Sequence, residues 1–209
     1  MKLTKTPDRE TASQQAAERI SWAIHSRLEK ESRATFIASG GTTPEACYRA
    51  LSQIDLAWDR VDVVPSDERQ VLIDDDQRNS KMLRQHLQRA CAKTCTIHEI
   101  ETYESLPQPA ALTLLGMGED GHFASIFPDI SELEPALDLS SLCSIYEVET
   151  RASLVRRTTL SLSALCNSHR VVLLAFGEKK LKLINQPHGL PVQQLFNQSK
   201  TPLEIIWSP

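Results

Sequence analysis

The sequence predicts an α/β fold, a doubly wound and mostly parallel sheet flanked by helices, with all 209 residues in a single domain. Three observations predict it. Short β-prone runs alternate with helical patterns along the chain, one late run is apolar without interruption, and polar or glycine-rich turns follow several strands. A sheet of this kind gathers its binding loops beyond the C-terminal ends of its strands.

Thr11–Lys30 places Ala16, Ala17, Ile20, Ala23, Ile24 and Leu28 at helical spacing, so the first helix is amphipathic. A strand is expected over Ala34–Ala38, a turn over Ser39–Pro44 and a helix over Glu45–Leu51, with Pro44 pre-set for the first helical position. The pattern repeats as a strand at Val61–Val64, a polar loop at Ser66–Asp76 and a helix at Ser80–Ala90. Leu112–Leu115 is a strand that runs into a glycine loop, followed by a short helix that Pro128 must end. Cys143–Val148 and Thr159–Leu162 read as further strands. Arg170–Ala175, apolar at every position after Arg170, reads as a strand buried on both faces, Lys179–Ile184 as a helix, and Leu203–Trp207 as the last strand.

Composition narrows the function. A hydrophobic share of 41% supports a sizeable core without disulfide or metal staples. With 23 basic and 27 acidic residues the net charge is −4, which argues against a nucleic-acid-binding surface. An anionic ligand must therefore be held by a local basic cluster. The five cysteines show no CxxC spacing and read as free thiols of a reducing cytosol, with no metal site expected. The N-terminal MKLTKTPDRE is too polar for a signal peptide and no apolar run reaches membrane-spanning length. A cytoplasmic protein without membrane or nucleic-acid partners is expected, either a monomer or a weak homodimer.

Four polar clusters carry the chemistry. Ser39-Gly40-Gly41-Thr42-Thr43 offers backbone N–H groups, hydroxyls and a following helix N-terminus, which suits a phosphate; an ordinary β-to-α turn fits the same residues equally well. In Ser66-Asp67-Glu68-Arg69, Arg69 can pair bidentately with a phosphate while an acid beside it fixes its orientation, although three charges at a strand exit are commonly a solvated loop. The run Gly116-Met117-Gly118-Glu119-Asp120-Gly121-His122 matches G-x-G-x-x-G, but Pro128 leaves too little helix behind it for a dinucleotide site. Instead it presents His122 as a base near pH 7, with Asp120 placed to orient it. Arg157 and Lys180 are the anion ligands expected from Arg156–Thr159 and Gly177–Lys180. Ser125 is not expected to be a nucleophile, since no G-x-S-x-G elbow surrounds it.

In order and spacing, Ser39–Pro44, Asp67–Arg69 and the block Gly116–Pro128 resemble the 6-phosphogluconolactonase family, as do Arg157–Leu160 and Gly177–Lys180. The resemblance spans about residues 35–185, and its thirteen-residue central block is the most specific part. It implies the fold of glucosamine-6-phosphate deaminases and ribose-5-phosphate isomerases. It also implies hydrolysis of 6-phosphoglucono-δ-lactone in the pentose phosphate pathway, without metal or nucleotide cofactor. His122 would be the base and Arg69 and Lys180 would lie near the substrate phosphate. Ser39, Gly40, Gly41, Thr42 and Arg157 would line the same pocket, with Asp67 and Gly118 in contact with substrate. The tetrahedral oxyanion would be met by glycine-loop N–H groups or an arginine. Phe123 stands where the family usually has Thr, and Arg156 replaces a common proline.

Two other readings remain open. An aminosugar-phosphate deaminase or isomerase would carry an asparagine–glutamate pair beyond the histidine, where this chain has Ala124–Pro128 without an acid. A non-catalytic sugar-phosphate sensor would carry a DNA-binding helix-turn-helix, for which the residues ahead of the first strand are too few.

Overall fold

The computed structural model describes residues 1–151 and 153–209. Its first half runs β1 (Lys2–Lys5), α1 (Arg9–Leu28), β2 (Ala34–Ala38), α2 (Glu45–Leu51), β3 (Val61–Pro65), β4 (Asp67–Arg69), α3 (Asn79–His86) and β5 (Thr96–Ile97). Its second half continues with β6 (Leu112–Leu115), α4 (Leu133–Leu137), β7 (Ile145–Thr150), β8 (Ser153–Leu160) and α5 (Leu162–Leu165). It closes with β9 (Val171–Phe176), α6 (Glu178–Asn185), α7 (Pro191–Asn197) and β10 (Leu203–Ser208).

Seven strands form one parallel sheet in the order β1-β10-β9-β6-β2-β3-β5. This is the α/β architecture expected from the sequence. From β2 the chain winds outward to β3 and β5, then returns to β6 on the other flank and continues to β9 and β10. The loops leaving β2 and β6 therefore diverge, and a crevice opens between them at the topological switch point.

Burial on both faces accounts for the apolar strands. In β9, Val171, Leu173 and Ala175 join one core with Ala136 of α4, Leu162 of α5 and Val192 of α7. Val172 and Leu174 point into the other core, against Ala16 and Ile20 of α1, Tyr48 of α2 and Leu83 of α3. Alternate residues thus serve opposite layers, and no polar position is tolerated along the strand. Helix α1 is started by Asp8, whose carboxylate accepts the Thr11 N–H at 2.7 Å, an orphan donor of the first turn.

The structure departs from the sequence reading in several places. The helix expected over Ser80–Ala90 is Asn79–His86, and β5, α4 and α7 correspond to no expected element. Lys2–Lys5, where no strand was expected, pairs with β10 at the sheet edge; it is too short to show an alternation. Asp67–Arg69, expected in a loop, is β4 and joins β8 and β7 in a three-stranded antiparallel sheet in the order β4-β8-β7. Its charged side chains hide the strand from any hydrophobic pattern. The strand expected over Thr159–Leu162 ends at Leu160, and Leu162 begins α5 with Ser161 as cap. No helix follows the glycine loop: Phe123 and Ile126 form an antiparallel bridge and Ala124 adopts φ +48°. Phe123, Ile126 and Phe127 have helical spacing, but here a tight turn delivers all three into the core beneath the loop.

Cys47, Cys95 and Cys166 are buried, Cys91 and Cys143 exposed, and all five are unpaired. Burial pushes the Cys95 and Cys166 thiols up to about 12. Among the described residues no helix is long and apolar enough to cross a membrane.

Candidate active site

The β6 exit is shaped by its glycines. Gly118 N–H donates to the His122 carbonyl at 2.9 Å and Gly121 N–H to the Gly118 carbonyl at 3.2 Å, closing a tight loop. Gly121 takes φ +77°, a conformation costly for other residues. A Cβ on Gly118 would stand 2.2 Å from Nδ1 of His122 and 2.5 Å from Oδ1 of Asp120. The backbone therefore leaves room for two side chains to meet. His122 Nδ1 and Asp120 Oδ1 are 2.5 Å apart, and the same oxygen accepts the His122 N–H at 3.2 Å. The imidazole also stacks on Phe127, with centroids 4.0 Å apart.

The β2 exit faces this loop. Ser39 Oγ accepts the Gly116 N–H at 3.1 Å, which ties the two diverging loops together. Gly40 lies against Asn79 so closely that a Cβ would meet its Oδ1 at 2.1 Å. Asn79 Nδ2 in turn donates to the Asp67 carbonyl at 2.7 Å.

Pairing of β4 with β8 sets Arg69 directly opposite Arg157. Arg69 donates to the Gln77 carbonyl at 2.5 Å, and Arg157 lies 5.2 Å from the Phe127 ring centroid. The Nε of each guanidinium is buried without a hydrogen-bond partner. Burial first, and then the neighbouring Arg69, lower the Arg157 pKa, with Asp67 partly opposing them. Two cations held together with donors to offer make a site that an anion would stabilise. Asp67 itself is buried and accepts from Ser125 Oγ at 2.6 Å and Ser66 Oγ at 3.0 Å.

One polar cavity of about 250 Å³ collects Ser39, Gly40, Gly41, Thr42, Asp67, Arg69, Gly118, His122 and Arg157, joined by Asn79. Asp120 is reached through His122. Lys180 is the exception among the expected residues: it lines an adjoining cleft of about 850 Å³ and shares with the first cavity only the Thr42–Thr43 wall. Burial lowers the Lys180 pKa, Glu119 opposes this, and Arg9 adds to it. Arg69 and Arg157 arrive from strands of the small sheet, and not from loops after strands as the sequence suggested. Phe123 lies in the core and Arg156 pairs with Glu149 at 2.6 Å, so neither departure from the family pattern lines the cavity.

Sequence reasoning missed Asn79 and Phe127 and saw Ser125 only as a rejected nucleophile. Asn79 starts a helix after a polar loop, which is a weak signal. Phe127 stands in the block Gly116–Pro128 with no polar group to mark it. Among the described residues no three His, Cys, Asp or Glu side chains are grouped to hold a metal ion.

The fold and site define an α/β protein whose switch-point crevice sets a histidine–aspartate pair against paired arginines, a layout for acid–base chemistry on an anion. The model of the glucosamine-6-phosphate isomerases/6-phosphogluconolactonase family matches residues 7–207, and the chain belongs to that family. A 6-phosphogluconolactonase of Caulobacter vibrioides is 30% identical over 100% of this chain and 97% of its own length. One from Rhizobium meliloti is 31% identical over 84% of this chain and 85% of its own. Among solved structures, a 6-phosphogluconolactonase from Shewanella baltica superposes with a TM-score of 0.94 at 28% identity, covering 100% of this chain and 98% of that one. A glucosamine-6-phosphate deaminase of the NagB superfamily, at 18% identity, has a TM-score of 0.77 over 100% of this chain and 97% of that one, which shows the fold alone.

Proposed function

We propose that the chain, acting as one unit, hydrolyses 6-phospho-D-glucono-1,5-lactone to 6-phospho-D-gluconate, the lactonase step of the oxidative pentose phosphate pathway. The observation that carries this reading is the His122–Asp120 pair sharing one cavity with Arg69 and Arg157, in a chain whose near full-length relatives are 6-phosphogluconolactonases.

A δ-lactone is an activated ester, so a positioned water and a base suffice. Asp120 accepts a hydrogen bond from His122 Nδ1, which leaves Nε2 to take a proton. Water adds to C1 as Nε2 removes its proton. The tetrahedral oxyanion then collapses, the bond from C1 to the ring oxygen breaks, and Nε2 returns the proton to that oxygen. Asp120 orients the imidazole and stabilises its charged form. Lys180 and the Ser39–Thr42 turn hold the phosphate, and Arg69 and Arg157 with the Gly118 loop supply donors to the phosphate and to the carbonyl oxygen as it gains charge. Asp67 completes the substrate wall beside the arginines.

Freshly prepared lactone, assayed by coupled oxidation of the product and corrected for spontaneous hydrolysis, tests the reading. His122→Asn is expected to lower kcat by about 10²–10⁴-fold with an unchanged melting temperature. Lys180→Ala is expected to raise KM with little change in kcat. Wild-type turnover in His122→Asn would overturn the base assignment, and an unchanged KM in Lys180→Ala would overturn the phosphate role.

A further inference from the structure

The edge of the sheet opposite His122 carries a second concave site. A cleft of about 250 Å³ lies between the last turns of α1 and the residues that enter β6 and β9. Arg27, Lys30, His169 and Arg170 line it, the Trp22 indole forms a wall, and no acidic side chain lines it among the described residues. For a chain of net charge −4, four basic groups around one hollow are a local concentration and do not follow from composition.

The carboxylates nearby offset this charge only in part. Glu31 meets Arg27 at 3.7 Å, while Glu204 is shared among Arg170, Arg19 and Lys2 at 3.5, 3.2 and 3.3 Å. Arg27 is largely buried and directs Nη1 at His169 Nε2, 3.1 Å away, so the imidazole accepts from a cation. Burial first, then Arg27 and Lys30, hold His169 below its ordinary pKa. Arg170 lies 5.9 Å over the Trp22 ring, whose residue is 61% exposed and leaves apolar surface beside the charges.

We propose that this cleft is a second binding site, for a small phosphate-bearing molecule whose dianion sits among Arg27, Lys30, His169 and Arg170 with Trp22 beside it. Its volume of about 250 Å³ falls just below the range of about 300–1,000 Å³ usual for small-molecule pockets, which suits a phosphate group whose substituent extends out of the cleft along the exposed Trp22 ring. The site is independent of the lactonase reading. It stands at the N-terminal ends of β6 and β9, a strand length away from the loops that carry His122. A dianion there reverses the local field and draws the His169 pKa upward.

The test uses the full chain, with inorganic phosphate and adenosine monophosphate as probes and sodium chloride balancing ionic strength. The imidazole resonances of His169 and the fluorescence of Trp22 are followed. Both signals are expected to saturate, and Lys30→Glu is expected to move the midpoint up by about tenfold or more. The Lys30 ammonium is exposed and makes no ion pair or hydrogen bond among the described residues, so this variant should keep its fold, which unchanged His122 resonances verify. Tighter binding of the nucleotide identifies a phosphomonoester that uses Trp22. Saturation by phosphate alone identifies free phosphate. A linear, chloride-like response, or an equal midpoint in Lys30→Glu, would overturn the proposal.

Discussion

Gly118 shows how one missing atom shapes the site. Its Cβ would occupy the place where His122 Nδ1 and Asp120 Oδ1 meet, so the residue is glycine for reasons of space. Gly118→Ala must push the imidazole away from the carboxylate, and a base displaced by an ångström loses a large part of its effect. The expected outcome is a fall in lactone turnover of about 10²-fold with a nearly unchanged melting temperature. Parallel activity and thermal-melt measurements check it, and retained turnover would mean that the pair need not touch during catalysis. Phe127 acts at the same scale, since both His122 and Arg157 lie on its ring.

Glu68 makes the corresponding argument for an element. Its buried carboxylate accepts the backbone N–H groups of Arg69 at 2.8 Å, Asn79 at 2.7 Å and Ser80 at 2.8 Å. It thereby caps α3 and locks that helix to β4. Both elements feed the cavity, through Asn79 and Arg69. Glu68→Gln replaces an acceptor with an amide that cannot satisfy all three donors. A loss of about 1–3 kcal/mol is expected, with a higher KM for the lactone as Asn79 and Arg69 loosen. Urea denaturation and steady-state kinetics read the two effects; a destabilised variant with wild-type KM would separate the cap from the site.

For the whole molecule, acid stability follows from carboxylates paired with arginines, two of them buried and Glu99 half-buried. Burial alone would raise the Asp62 pKa, but a bidentate pair with Arg33 at 2.7 Å for each bond and a contact with His98 at 2.8 Å hold it below the usual carboxylate range. Because the folded value is depressed, this stabilisation is fully present above the unfolded pKa of about 4. It is lost as pH falls through the lower folded value. Glu99, held down by Arg84 and Arg78, and Glu204, held down by Arg19 and Lys2, act in the same direction against their own burial. Urea midpoints measured from pH 8 to pH 3 are expected to fall only below about pH 5. Asp62→Asn should cost about 1.5–3 kcal/mol at pH 7 and progressively less towards pH 3; a pH-independent penalty would contradict the linkage.

The sequence by itself determined what depends on neighbours along the chain. The apolar run that follows Arg170 announced a parallel strand, and Gly116–His122 announced a turn that brings a histidine beside an aspartate, because both signals are local in spacing. Only the tertiary structure decided what depends on register between distant segments. No local pattern tells Asp67–Arg69 that it will pair with Arg157–Thr159, yet that pairing sets Arg69 against Arg157. Nor does any spacing place Asn79 under Gly40, or move Lys180 into the cleft next to the others. Periodicity records which face of an element is buried. It carries no information about which residue of another element lies opposite, and that partner is what turns four polar clusters into one site.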